Sequence, residues 1–419
     1  MTTSTDANKK VGMSEESNLP QRHQVGTIWQ VVFQASTIIG IITLTALLYN
    51  IVNSAFGYVA LESKVDPETL AINDVPLEEL PKEDLVQILK DYVSAGLFRR
   101  FERDKPFENR THEEIYALIQ ERIIQPEIVS TWSLFDSITK KNEIFSQTKI
   151  KYPKAELHFV SWLNPNFVTS PQSSNPLAAG VRTAILGSLW TIGITLLTAF
   201  PLGVGAAVYL EEYARDNLLN RIIQTNISNL AGVPSIIYGM LGLAIFVRTM
   251  EPLTSGAIFG FTDPTTANGR TILSAGLTLA LLILPLIIIN AQEAIRAVPL
   301  SLRHASYGLG GTKWQTVWHH VLPNAVPGIL TGTILAISRA IGETAPLVVV
   351  GASTFITFDP ESPFSKFTTL PIQIYQWTSR PQGEFRNIAA AAIIVLLILL
   401  LALNASAVFL RNRYSRRLA

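Results

Sequence analysis

Six runs of mostly apolar residues constrain this chain more than any other feature: Ile28–Ile51, Val181–Leu210, Ile222–Val247, Thr271–Ile289, Val326–Val350 and Ile388–Leu410. A hydrocarbon core of about 30 Å is crossed by roughly 20 apolar residues in a helix. Lipid offers no water to the backbone, and a helix satisfies its own N–H and C=O groups. The last run, IAAAAIIVLLILLLALNASAVFL, carries no charge at all. Charged residues make up only 16% of the chain, against about 25% in ordinary soluble domains. The expected fold class is an all-α polytopic membrane protein with six transmembrane helices.

Other classes fall away on composition. The chain has no cysteine, which excludes disulfides, iron–sulfur clusters and thiolate zinc sites. A net charge of +1 makes no case for nucleic-acid binding. His319 and His320 are adjacent rather than spaced for a shared metal. The stretch Gly308-Leu-Gly-Gly-Thr-Lys313 lacks the Gly-Lys-Ser/Thr ending of a phosphate loop, so no nucleotide site is expected on this chain.

Taken in order, residues 1–27 are polar, without a cleavable-signal pattern, and are expected to be a disordered cytoplasmic segment. Residues 28–52 form the first expected span, with Gln30 and Gln34 one turn apart, facing neighbouring helices. Residues 53–176 form an acidic insertion, with 14 Lys+Arg against 19 Asp+Glu between 53 and 175. Leu80, Leu85, Ile88, Leu89, Val93 and Leu97 recur at helical spacing over Leu80–Arg103. Thr111, with Glu114 three residues on, reads as a capping box opening a helix over Thr111–Ile124. A small, mainly helical domain is expected here. The other five spans fall within 177–411, and 412–419 would be a cytoplasmic tail.

Lysine and arginine in the short connections set the orientation. With the N-terminus cytoplasmic, twelve fall inside: Lys9, Lys10, Arg22, Arg215, Arg221, Arg296, Arg303, Lys313, Arg411, Arg413, Arg416 and Arg417. Five fall outside: Arg248, Arg270, Lys366, Arg380 and Arg386. Both termini are therefore expected inside and the insertion outside.

The stretch Leu302–Pro346 joins a polar, glycine-broken loop to a span carrying Arg339 and Glu343. Gly308, Gly310 and Gly311 permit a sharp reversal between two short helices. Pro323 and Pro327 suit the start of the next helix better than its interior. The result would be a knob at the cytoplasmic surface; the plain alternative is an ordinary amphipathic loop. An arginine at mid-membrane costs roughly 2.5–3.5 kcal/mol, and an i, i+4 ion pair returns only about 0.2–0.5 kcal/mol. Arg339 and Glu343 should therefore face a hydrated cavity or another subunit. A guanidinium suits phosphate oxygens because it donates in a bidentate fork. The plain alternative is a salt bridge between subunits. Val233-Pro234-Ser235 interrupts the third run, most simply as a packing kink, the alternative being a break that exposes backbone groups to a cavity; Asn290 and Gln292 read as polar residues closing the fourth span.

His304-Ala305-Ser306, Gly310 and Leu322-Pro323 resemble the "EAA" loop of ABC importer permeases. His304 stands where Glu is common, Ser306 replaces an Ala, and His320 occupies a usually aliphatic position. Arg339-Ala-Ile-Gly342-Glu343-Thr344-Ala345-Pro346 resembles the fifth-span signature of phosphate-specific importer permeases, and Glu-Thr-Ala-Pro-Leu their A-type subunit. Ala184-Ile-Leu-Gly-Ser-Leu, Pro201-Leu-Gly-Val-Gly, Tyr209-Leu-Glu-Glu-Tyr and Gly232-Val-Pro-Ser-Ile-Ile-Tyr-Gly extend the likeness over about Leu177–Arg411. The insertion has no counterpart in the compact family pattern.

The resemblance implies a type I ABC importer permease fold in a bacterial inner membrane. It implies an importer for phosphate in which Arg339, Glu343 and Thr344 line the substrate pathway. Arg303, His304, Ala305, Ser306, Gly310, Leu322 and Pro323 would couple the chain to its ATPase. The implied partners are a homologous permease, ATPase subunits and an extracytoplasmic phosphate-binding protein, besides phosphate and membrane lipid. No cofactor is implied on this chain, ATP being bound by the partner subunits. The alternatives are a permease for molybdate or sulfate, and an ATP-independent secondary carrier. The absence of an internal repeat weighs against the carrier.

Overall fold

A computed structural model describes residues 19–72, 75–261 and 268–415. Lys9, Lys10, Arg416 and Arg417, used above to orient the chain, lie outside the described residues, as does the segment 1–18. The chain divides between Asn53 and Ser54 into two units.

The first unit is the body of helix α1 (Leu19–Ala55). The helix starts nine residues before the Ile28 expected from hydropathy, so residues 19–27 are helical rather than disordered. An amphipathic turn can extend a helix beyond its membrane stretch, because propagation adds one hydrogen bond per residue fixed. Gln30 and Gln34 share a face with Trp29 and Phe33, along a shallow apolar groove.

The second unit opens with the insertion. Strand β1 (Phe56–Ser63) follows α1 directly and sits between β2 (Pro126–Thr131) and β3 (Glu156–Ser161), antiparallel to both. The expected mainly helical domain is thus built on a three-stranded sheet. These strands are short and half-buried without clean alternation, which leaves a period-2 pattern with little to display. Helices α2 (Lys82–Tyr92), α3 (Ala95–Asp104) and α4 (His112–Ile119) enclose a separate core of Leu85, Leu89, Phe101, Ile115 and Ile119. Thr111 and Glu114 form the capping box. The stripe over Leu80–Arg103 is two helices, since Val93 and Ser94 are extended. Helices α5 (Leu134–Thr139), α6 (Lys141–Lys151) and α7 (Pro165–Thr169) complete the insertion.

The membrane part comprises α8 (Arg182–Val208), α9 (Leu218–Ala231), α10 (Ser235–Gly242), the short α11 (Glu251–Thr254) and α12 (Ile272–Arg296). It continues through α13 (Leu300–Gly308), α14 (Lys313–Thr316), α15 (Leu322–Gly342), α16 (Ala345–Val350), α17 (Leu370–Thr378) and α18 (Gly383–Ser415). Wider π-turns extend α8 through Tyr213, α10 through Thr249 and α14 through Val321. Among the described residues five helices are long and apolar enough to cross a membrane, and α9 with the extended α10 makes a sixth if that pair, bent by 106°, counts as one span. Helix α12 is the hub, packed against α8, α10 and α15, with 67% of its apolar window buried. Glycine lets α8 and α12 approach closely: a Cβ on Gly276 would come within 2.6 Å of Ile194.

Two spans are broken, the third where the sequence reads an interruption and the fifth where it reads a continuous run. The third is broken at Gly232–Pro234, where Pro234 is extended and restricts Val233 in turn. The fifth stops at Gly342, passes through an extended Glu343 and restarts as α16 with Pro346 in its first turn. Pro327 lies inside α15 rather than at its start. There its missing N–H leaves the Pro323 carbonyl without its usual helical partner.

Candidate functional site

The polar loop folds as expected from its glycines. Gly310, at φ +82°, turns the chain between α13 and α14. Ser306 and Thr316 lock the two helices together through their hydroxyls, 2.8 Å apart, and the Gly311 N–H donates to the Ser306 carbonyl at 3.0 Å. Thr312 caps α14, with Gln315 returning the bond. Outside this lock the knob is apolar: Leu309 is 91% exposed, and Trp314 and Trp318 stack with centroids 5.4 Å apart on the exposed side. His304 and Ala305 are exposed beside them, while Leu322 and Pro323 are half-buried at the start of α15.

Arg303 turns inward, unlike the docking residues with which the sequence groups it. Its Nη2 and Nε donate to Glu212 Oε1 at 2.8 and 3.1 Å. Its Nη1 and Nη2 donate to the carbonyls of Val298 and Ile295 at 2.6 and 2.9 Å. The side chains are 12% and 6% exposed. The physical reason is the C-terminal turn of α12: the Ile295 carbonyl, which otherwise takes the Val298 N–H in a tight turn at 3.2 Å, and the Val298 carbonyl just past the helix are both met by this guanidinium.

Glu211, next along, holds the other side. It accepts from Arg296 Nη2 at 2.6 Å and from Gln292 Nε2 at 3.2 Å. Gln292 is buried and also exchanges hydrogen bonds with Gln224 of α9, at 2.9 and 3.1 Å. It is therefore an interior link one turn before the end of α12, where sequence reading makes it a helix-end residue. Two adjacent carboxylates at the end of the second span thus grip α12 on one side and the knob on the other. Sequence reasoning assigned Glu211 and Glu212 no role; the available signal was a Glu-Glu pair ending an apolar run.

At the other end of α15, Arg339 and Glu343 meet at the break in the span. Arg339 Nε is 3.5 Å from Glu343 Oε1, at the outer limit of a hydrogen bond. The Arg339 side chain is 45% exposed and that of Glu343 18%. The terminal Arg339 nitrogens have no other protein partner among the described residues. Thr344, half-buried, is the junction residue preceding α16. Helix α16 packs against α10, and a Cβ on Gly239 would lie 2.6 Å from Pro346 Cα. The second halves of the two broken spans therefore touch backbone to backbone. Tyr238 packs with Ala336 and Ala340 beside them, its hydroxyl donating to the Leu230 carbonyl at 2.8 Å. A half-exposed guanidinium with free N–H groups at a broken helix is suited to binding an oxyanion. The knob and the Arg339 break are thus the two ends of one element, α14 through α15.

Comparison with known proteins gives the family of the chain. Residues 199–419 match the family model described as "Binding-protein-dependent transport system inner membrane component". The chain is 34% identical over 244 residues to the "Probable ABC transporter permease protein YqgI" of Bacillus subtilis, covering 56% of this chain and 77% of that protein. It is 36% identical over 206 residues to the "Phosphate transport system permease protein PstA 1" of Mycobacterium tuberculosis (strain ATCC 25618 / H37Rv), covering 49% of this chain and 61% of that protein. Among solved structures, the MetNI methionine ABC transporter aligns at 20% identity with a TM-score of 0.42, over 58% of this chain and 99% of that one. With five to six apolar spans among the described residues and a family match over its C-terminal half, the chain belongs to the inner membrane components of binding-protein-dependent transport systems.

Proposed function

We propose that this permease subunit carries inorganic phosphate inward through an ATP-driven importer. The observation that carries the reading is Arg339, set at the break of the fifth span with a single 3.5 Å contact and spare donors. Glu343 steadies the guanidinium from one side and leaves its terminal nitrogens for phosphate oxygens. Thr344 adds a hydroxyl at the same junction. The likeness to phosphate permease proteins at 36% identity supports phosphate as the solute.

The subunit forms half of the pathway, the other half coming from a homologous permease. ATPase subunits dock on the knob through His304, Ala305, Leu309 and the two stacked tryptophans, and an external binding protein delivers phosphate. No cofactor is held on this chain. Arg303 and Ser306 shape the knob from within. Both termini lie in the cytoplasm.

Replacing Arg339 with Ala tests this. Phosphate uptake is abolished while the complex still assembles from detergent with its ATPase. Uptake that survives in an assembled Arg339→Ala complex overturns the ligand role. Uptake inhibited equally by molybdate or sulfate overturns the assignment to phosphate.

A further inference from the structure

The insertion as a whole is acidic, yet residues 140–154 hold five lysines (140, 141, 149, 151 and 154) against one acidic residue, Glu143. Lys140 is engaged by Asp136 at 3.1 Å, and Glu143 accepts from Gln147 at 3.0 Å. Lys141 and Lys149 stand four residues before and after Phe145, so all three share one face of α6. Phe145 meets Tyr58 edge-on at 5.7 Å, and Tyr58 meets Phe159 edge-on at 5.5 Å. Phe159 is 53% exposed and Phe145 38%. The Tyr58 N–H donates to Ser137 Oγ at 2.9 Å, which brings α5 to the edge of the patch, with Ile138 72% exposed there.

The position of this patch along the membrane follows from its neighbours. The Trp132 N–H donates to the Tyr58 carbonyl at 2.9 Å. Thr131 Oγ1 lies 3.9 Å from where a side chain on Gly383 would begin. Gly383 opens the last span, whose uncharged stretch begins at Ile388, about 7–8 Å further along the helix at ~1.5 Å per residue. Tyr58 is thus bonded to the residue next to Thr131, which meets the opening turn of the last span, near the level at which aromatic rings collect in membrane proteins.

We propose that the Tyr58–Phe145–Phe159 face, flanked by Lys141 and Lys149, rests on the anionic phospholipid headgroups around the last span. The rings enter the headgroup layer and the ammonium groups meet lipid phosphates. Each lysine held at an anionic surface favours the contact about five-fold. The insertion is thereby fixed against the membrane instead of standing free above it.

The lack of native cysteine makes the test direct. The full-length protein with Ile138→Cys carries a single environment-sensitive fluorophore and is reconstituted in vesicles of phosphatidylcholine with or without phosphatidylglycerol. With brominated phosphatidylglycerol, emission shifts to the blue and is quenched. A label at Ile150→Cys, on the opposite side of α6, stays in water. Reversing both lysines (Lys141→Glu, Lys149→Glu) abolishes the quenching while circular dichroism is unchanged. Water-like emission at Ile138 in both membranes overturns the proposal. Quenching indifferent to phosphatidylglycerol or to the lysine reversals overturns it too. A blue shift that appears only on adding a soluble binding protein assigns the face to that protein instead.

Discussion

Arg303 and Glu212 form a buried ion pair that joins the knob to the end of the second span, the two charged groups lying 2.8 Å apart. Removing one partner of such a pair leaves the other charge desolvated and costs about 3–5 kcal/mol. Glu212→Gln and Arg303→Met are each expected to lower the melting temperature of the purified complex and to weaken retention of the ATPase. The double variant should lose less than the sum of the singles, because neither charge is then stranded. Thermal melts of all four proteins, read as a double-mutant cycle, check this; additive losses would show that the pair does not act as a unit.

Gly239 sits where α10 crosses α16, and a methyl group there would strike Pro346 backbone at 2.6 Å. Backbone cannot swing aside as a side chain can, so Gly239→Ala should destabilise by about 1–3 kcal/mol and reduce uptake. Gly193→Ala, in open space on α8, should leave both unchanged. Equal behaviour of the two variants in melting and uptake would remove the packing argument.

Gly310 has open space around it but a left-handed backbone. Gly310→Ala should therefore cost on the order of 1 kcal/mol through conformation alone, loosening the knob without filling any cavity. Gly308 also has open space and no such dihedral, and Gly308→Ala should be harmless. Proteolysis of the loop in the two variants compares them: only Gly310→Ala should be cut faster.

These glycines and caps show how far the sequence speaks. The reversal at Gly310 and the capping box at Thr111 are local, set by residues within a few positions, and so can be read from the string. The six apolar runs are equally plain, because hydrophobicity over roughly 20 residues is itself the physical requirement. The interruption at Pro234 is marked by the proline itself, but the break at Glu343 is harder, since hydropathy averages straight across a bend. The inward turn of Arg303, the burial of Gln292 and the grip of Glu211 and Glu212 depend on partners 68 to 91 residues away. No local pattern encodes those. The sheet of the insertion escaped for a different reason, its strands being too short and irregularly buried to show a period.

Acid should act on the insertion through Glu114. The Lys105 ammonium bonded to it, and then the Thr111 N–H, hold its carboxyl below the ordinary carboxylate range. A depressed value means the interaction is complete above the unfolded carboxyl's range and is lost as pH falls through the lower, folded value. Hydrogen exchange in α4 of the intact protein should therefore accelerate only in acid, and Lys105→Met should move that onset to higher pH. An onset unmoved by Lys105→Met would rule out the lysine as its cause.

The paired breaks in the third and fifth spans carry one more implication. Each new helix start and stop leaves backbone donors and acceptors without helical partners, and hydrocarbon cannot accept them. Here the protein meets part of that demand itself: the Tyr238 hydroxyl donates to the Leu230 carbonyl at the first break, and the Glu343 N–H donates to the Ala340 carbonyl at the second. Gly239 against Pro346 leaves no gap between α10 and α16, so a shift of either half-helix has to carry the other with it.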